Sequence, residues 1–220
     1  MIKQSTYSKH NAFTMLELVF VIVVLGILAA IAIPRMDRDL RQEAADNILS
    51  SVRYTQHLAL LDNRHTFNEA NWQKSFWTIR FDANGGFYTV SSNIDYSTNV
   101  DKNESAMDPA NGKLFYSDDN IIDSDESPSI FLNRKYGIDT VDFTNCKVTA
   151  NGDNTSNHIA FDYMGRPHKG MYNTATNDYR TVMRADCEIV FKFTDTSIDD
   201  IHMLIMQETG YAYLEDQPDS

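Results

Sequence analysis

The sequence predicts an α+β protein, with one long N-terminal α-helix spine packed on an antiparallel β-sheet head. Three observations predict it. The apolar run Val19 to Ile33 leads, across Pro34, into a stripe of apolar residues at helical spacing. Beyond residue 65 the pattern changes to short alternating segments separated by Gly- and Asn-containing turns. The length of 220 residues suits one modest domain plus an anchor. With 19 Lys+Arg against 31 Asp+Glu the net charge is −12, which suits a soluble extracytoplasmic head. It argues against a nucleic-acid surface, which needs clustered basic groups.

The first element is the apolar helix. From Phe13 to Ile33 it would reach about 30 Å, the thickness of a hydrocarbon core. Lys3, Lys9 and His10 precede it and no acidic residue comes before Glu17, which predicts a cytoplasmic N-terminus. Glu17 is the exception in the run. A charged side chain at mid-membrane costs about 2.5–3.5 kcal/mol on insertion scales, so it calls for a partner and a task. Three readings compete. A secretory signal peptide could be cut at Ala30-Ile31-Ala32. A plain single-pass anchor would leave Glu17 unexplained. The third reading rests on a resemblance.

Ala12-Phe13-Thr14-Met15-Leu16-Glu17-Leu18 resembles the class III signal of type IV pilins and type II secretion pseudopilins. The resemblance implies a pilin-like fold and cleavage by prepilin peptidase between Ala12 and Phe13. It also implies N-methylation of Phe13 by the same enzyme, and assembly through Glu17. Gly26 and Pro34 also fall where that family often has a Gly and a helix-bending Pro. One residue departs from the pattern: the family usually has Gly before the cut, and Ala12 stands there. Ala is the next smallest side chain, so cleavage is expected to survive at some cost in rate. The implied partners are other pilins or pseudopilins, prepilin peptidase and an inner-membrane assembly platform. The implied location is the bacterial inner membrane with the head in the periplasm. The implied organisation is a leader over 1–12, a transmembrane assembly segment over 13–34, an amphipathic half-spine over 35–64 and a β-rich head over 65–220.

Physical chemistry supports that use of Glu17. Cutting before Phe13 creates an ammonium one helical turn from Glu17. The ammonium of an incoming subunit can pair with the carboxylate of its neighbour. In a low-dielectric medium the attraction is large, and leaving either charge unpaired is expensive. Such a pair sets axial register between subunits better than apolar packing alone.

After Pro34, Leu40, Ala44, Ile48, Val52, Thr55 and Ala59 recur at helical spacing, with Leu49 and Leu58 widening the stripe. Asp62-Asn63-Arg64 reads as the end of the helix; an isolated coiled-coil stalk is the rival reading. Ser75 to Phe81 and Phe87 to Val90, joined through Asn84-Gly85-Gly86, predict a hairpin. Further strands are expected at Ser129–Leu132, Thr140–Phe143, Ile159–Tyr163, Cys187–Phe193, Ile201–Met206 and Tyr211–Leu214. The Asn93 to Pro128 segment has no clear pattern. Two spots, Phe161-Asp162-Tyr163-Met164-Gly165 and Glu208-Thr209-Gly210-Tyr211, loosely resemble the H-type minor pseudopilin. Cys146 and Cys187 match no zinc spacing. In an oxidising compartment they could pair, closing a loop worth about 4 kcal/mol; two buried free thiols are the alternative.

Candidate chemistry is sparse. Asp118, Asp119, Asp123, Asp125 and Glu126 crowd one stretch and could offer oxygen ligands to Ca²⁺, although no EF-hand spacing is present. A solvated acidic loop is the commoner outcome. His10, His57, His65, His158, His168 and His202 form no zincin motif, and no nucleophile elbow or phosphate loop occurs. No enzyme activity and no cofactor other than that calcium is expected. The function these residues support is a minor structural subunit of a type II secretion pseudopilus or type IV pilus. A minor pilin for adhesion or DNA uptake is the alternative, with a basic patch around Arg166, His168, Lys169, Arg180 and Arg184 in its favour. An alternative of another class is a membrane-anchored periplasmic binding or enzymatic domain.

Overall fold

The computed structural model describes residues 15–66, 68–82, 84–97, 99–146, 156–171, 179–215 and 217, and for residues 30–39 and 179 the backbone alone. The chain forms two compact units, Met1–Asp39 and Leu40–Ser220. Helix α1, Met15–Leu61, contributes to both. Its backbone runs through Pro34 without a break in helical assignment. The cost of a helical proline is a missing N–H and a ring clash.

In the first unit the described apolar side chains from Met15 to Leu28 are exposed, Leu16 at 83%. Among the described residues no helix is long and apolar enough to cross a membrane. The expected span 13–34 includes Phe13 and Thr14, which lie outside the described residues, as do the side chains of its last five positions.

In the second unit the remaining half of α1 buries the stripe the sequence predicts. Ala44, Ala45, Ile48, Leu49, Val52, Thr55 and Ala59 are buried, and Leu40 and Leu58 are half-buried against them. Burying Ile48 or Val52 contributes about 1.5–3 kcal/mol each. The helix stops at Leu61, where Asp62 donates its N–H to Leu58 O and Arg64 folds back onto the Asp62 carboxylate.

The strands are β1 (Trp77–Phe81), β2 (Tyr88–Ser91), β3 (Ile138–Asp142), β4 (His158–Phe161), β5 (Pro167–His168), β6 (Cys187–Phe193), β7 (Ile201–Ile205) and β8 (Ala212–Leu214). They form two four-stranded sheets where one was expected, ordered β2-β1-β4-β5 and β3-β6-β7-β8, and every pairing is antiparallel. One core cluster takes in Ile48 and Val52 of the helix, Ile79 and Phe161 of the first sheet, and Phe191 and Met203 of the second. Strict alternation is visible in β6, where Cys187, Ile189, Phe191 and Phe193 face the core and Glu188, Val190 and Lys192 face outward. The disulfide Cys146–Cys187 ties the start of β6 to the loop after β3.

One expected strand is corrected. Ser129–Leu132 is not extended: Pro128–Ile130 is a 3-10 turn and α2, Leu132–Tyr136, follows it. Ser127 caps the turn by accepting from Ser129 N, and Pro128 sits at its first position, where a proline loses nothing by lacking an N–H. Gly137 ends α2 in the left-handed region at φ 73°.

The irregular stretch from Asn93 to Pro128 is organised by two buried carboxylates. Glu104 accepts from the N–H groups of Ile94, Asp95 and Asp101. Asp108 accepts from Ala110 N, Asn111 Nδ2 and the hydroxyls of Ser127 and Ser129. These bonds take the place of a strand ladder, because buried backbone donors must find some acceptor.

Candidate assembly segment and head sites

The assembly segment comes first. Ala12 and Phe13, the expected cleavage and methylation positions, lie outside the described residues. Glu17 is in the first turn of the described helix. It is followed by exposed Leu18, Val19, Phe20, Ile22, Val23 and Leu25. A helix that is apolar on all sides is built to be surrounded by apolar matter, either lipid or other helices. Glu17 is the one carboxylate in this stretch of the helix.

The two turn motifs of the C-terminal half come together on the helix. The turn between β4 and β5 ends at Gly165 (φ 80°), and the turn between β7 and β8 ends at Gly210 (φ 67°). Gln56 of α1 donates from Nε2 to Gly165 O at 2.9 Å and to Thr209 O at 2.7 Å. One side-chain amide thus clasps a turn from each sheet. Gly210 must be glycine, since a Cβ there would overlap the Gly165 carbonyl oxygen and lie 2.6 Å from Gln56 Nε2. Arg53, one turn earlier, donates to Ala212 O at 2.8 Å and lies over the Tyr211 ring.

Beside this clasp lies a buried polar network that the sequence reading missed. Asp162 receives Arg166 Nε at 2.8 Å together with the N–H groups of Met164 and Arg166. His168 Nε2 lies 3.3 Å from the same carboxyl, and its Nδ1 lies 2.9 Å from Thr181 Oγ1, which in turn meets Gln73. Burial alone would raise the Asp162 pKa. The bonds from His168 and Arg166 outweigh burial, and the carboxyl sits below its ordinary value. Burial pulls His168 below its ordinary value, against the Asp162 charge, so the ring is held neutral. An Asp-His-Thr series can serve nucleophilic catalysis, but here the ring is fully buried and Thr181 nearly so. The series works as a joint between the Asp162 turn and the loop around Thr181. The signal available in the sequence was the Asp-x-x-Gly-Arg turn with a His two residues on.

The network makes a pH prediction. The folded ring binds its proton less readily than the unfolded ring, whose pKa is about 6.5. Its contribution to stability is therefore complete above that value and is lost as pH falls below it. The melting temperature is expected to drop between pH 7 and pH 5, and His168→Gln to flatten that slope. Equal slopes for the two proteins in thermal melts would refute it. The depressed Asp162 carboxyl adds a second loss, below about pH 4.

The five acidic candidates separate. Asp123, Asp125 and Glu126 converge on Lys102, whose Nζ lies 3.8, 2.9 and 3.7 Å from their oxygens. The Lys102 ammonium thus sits among these three carboxylates. Asp119 accepts from Ile121 N within its own turn. Asp118 instead faces a pocket with Tyr116. Burial raises Glu126 above its ordinary value, whereas the Lys102 hydrogen bond lowers Asp125.

Among the described residues the histidines are spread over several elements. His57 is exposed, and His65 packs edge-on to Trp72. His158 and His168 belong to the first sheet, His202 to the second. Among the described residues one group of three, Glu188, His202 and Glu215, brings potential ligand atoms within 4.8 Å of one another. His202 Nδ1 lies 2.8 Å from Glu188 Oε1, so the group reads as a hydrogen-bonded pair on the outer face of the second sheet. Of the five basic residues of the expected patch, Arg180 and Arg184 are exposed and Arg166 is half-buried. His168 and Lys169 are buried, Lys169 donating to Cys146 O at 2.7 Å, and Arg166 is held by Asp162.

Residues 7–33 match the family model described as the prokaryotic N-terminal methylation motif. The N-terminal segment is thus a prepilin signal of the type IV pilin and pseudopilin kind, and Glu17 lies inside the matched stretch. The motif implies processing by prepilin peptidase and pilin-type assembly. No curated protein and no solved structure matches the chain significantly.

Proposed function

We propose that the chain is a minor structural subunit of a type II secretion pseudopilus or type IV pilus, with no catalysis and no cofactor of its own. The observation that carries this reading is the methylation motif over 7–33, with its carboxylate followed by a helix that exposes apolar side chains on every side. The cut falls between Ala12 and Phe13, and Phe13 becomes the methylated terminus. The segment 13–34 first sits in the inner membrane and then packs helix on helix in the filament. The new ammonium of one subunit pairs with Glu17 of its neighbour. The disulfide suits a head on the oxidising side of that membrane. The two turn motifs that loosely resemble the H-type minor pseudopilin meet at Gln56, which supports a minor subunit of that type.

Two measurements test the reading. N-terminal sequencing of the mature protein should return Phe13, methylated. Ile33 would mean a secretory signal and an uncut Met1 a plain anchor. Glu17→Ala should leave membrane insertion and head folding intact while incorporation into filaments drops by at least tenfold. That factor corresponds to the loss of a charge-assisted contact of about 1.5–3 kcal/mol. Normal incorporation of the variant would overturn the register role.

A further inference from the structure

The outer face of the β1–β2 hairpin forms the floor of a pocket of about 400 Å³ whose walls are the segments around Asn99–Asp101 and Tyr116–Asp118. That volume lies within the range of about 300–1,000 Å³ typical of small-molecule sites. Arg80 and Thr89, a cross-strand pair, lie on the floor. Asp82, Phe87, Tyr116 and Asp118 surround them. Ser117 is 3% exposed and lines the same pocket.

Two charges in this pocket are not neutralised by each other. Among the described residues neither the Arg80 guanidinium nor the Asp118 carboxylate makes a side-chain hydrogen bond or ion pair. Both signs exposed in one concavity suit a ligand that both donates and accepts. An anion would satisfy Arg80 and be repelled by Asp82 and Asp118. An amine would satisfy the carboxylates and leave Arg80 opposed and the Tyr116 hydroxyl without an acceptor. Hydroxyl groups do both at once. Burial, together with Asp118 and Asp101, raises the Tyr116 phenol, which keeps it a donor. Phe87 and Tyr116 add aromatic surface to the lining.

We propose that this pocket binds a neutral saccharide unit, with Arg80 donating to its hydroxyls, Asp82 and Asp118 accepting from them, and Phe87 and Tyr116 covering its C–H face. The site is independent of how the N-terminal segment is used, so its failure leaves the assembly reading untouched. It would give the head a carbohydrate surface to hold.

The test is saturation-transfer NMR on the full chain in a zwitterionic detergent without a sugar headgroup. The probes are glucose, galactose, N-acetylglucosamine, cellobiose, lactose and chitobiose, with lysine amide and inorganic phosphate as charged controls. At least one saccharide is expected to receive saturation. Asp118→Asn and Arg80→Met are each expected to weaken it by about tenfold or more, the loss of one hydrogen bond to a charged group. Both residues are exposed, so the melting temperature should stay unchanged and separate lost binding from lost folding. Silence from all six saccharides would overturn the proposal. So would saturation of lysine amide or phosphate in their place, or a saccharide signal that neither variant weakens.

Discussion

Replacing Gly210 with alanine is expected to destabilise the head by about 2–5 kcal/mol, a large fraction of the stability of an ordinary domain. The backbone there sits at φ 67°, and the added Cβ would overlap the Gly165 carbonyl oxygen. That oxygen belongs to backbone and is itself held by Gln56, so nothing cheap can move aside. Gly137 supplies the control. It has nearly the same φ, 73°, but open space where the Cβ would go. Gly137→Ala should therefore cost only the conformational part, about 1–2 kcal/mol. Urea melts of the two variants separate strain from clash. Equal losses would show that the turns part without penalty and that the clasp does not hold the sheets to the helix.

Reducing the Cys146–Cys187 disulfide is the second large effect. It closes a separation of 41 residues, for which the chain-entropy model gives about 4 kcal/mol. Reduction is a cleaner test than substitution because both sulfur atoms are retained and no side-chain volume is removed. The bond also fixes the Cys146 carbonyl, to which the buried Lys169 ammonium donates. Losing the cross-link therefore loosens the acceptor of a buried charge, which is costly when left unpaired. The midpoint in urea should fall sharply with reductant, and more than that of a Lys169→Met variant. An unchanged midpoint under reductant would refute the assignment.

Several elements were legible in the sequence for physical reasons. The bounds of β6 follow from strict alternation, since a period of two admits one buried face. The half-spine from Leu40 to Leu61 was legible because Ala44, Ile48, Val52, Thr55 and Ala59 keep one face over several turns. The methylation motif was legible because a carboxylate in an apolar run stands out against its neighbours. Other parts were hidden. Ser129–Leu132 looked extended because Ile130 and Leu132 alternate. Ser127 as cap, Pro128 at the first position and Gly137 at the end carried the contrary signal. The two sheets could not be told from one, because each strand shows only its own periodicity and not its neighbour. The stretch from Asn93 to Pro128 stayed opaque because Glu104 and Asp108 read as solvated charges. Burial turns such groups into organising acceptors, and sequence does not display burial. The saccharide pocket needed the hairpin and the 116–118 turn to meet, which is a tertiary fact.

Lys102, ringed by Asp123, Asp125 and Glu126, has a consequence for the environment in which the protein operates. A dissolved counter-ion neutralises such a loop only to the degree that its concentration allows, following mass action. A lysine on the same chain is always present, at one per molecule, whatever the medium contains. For that loop the positive charge is inherited with the polypeptide and is not drawn from the surroundings. Chelators, or swings in external divalent ions, are expected to leave its geometry as it is, which a melt with and without EDTA checks.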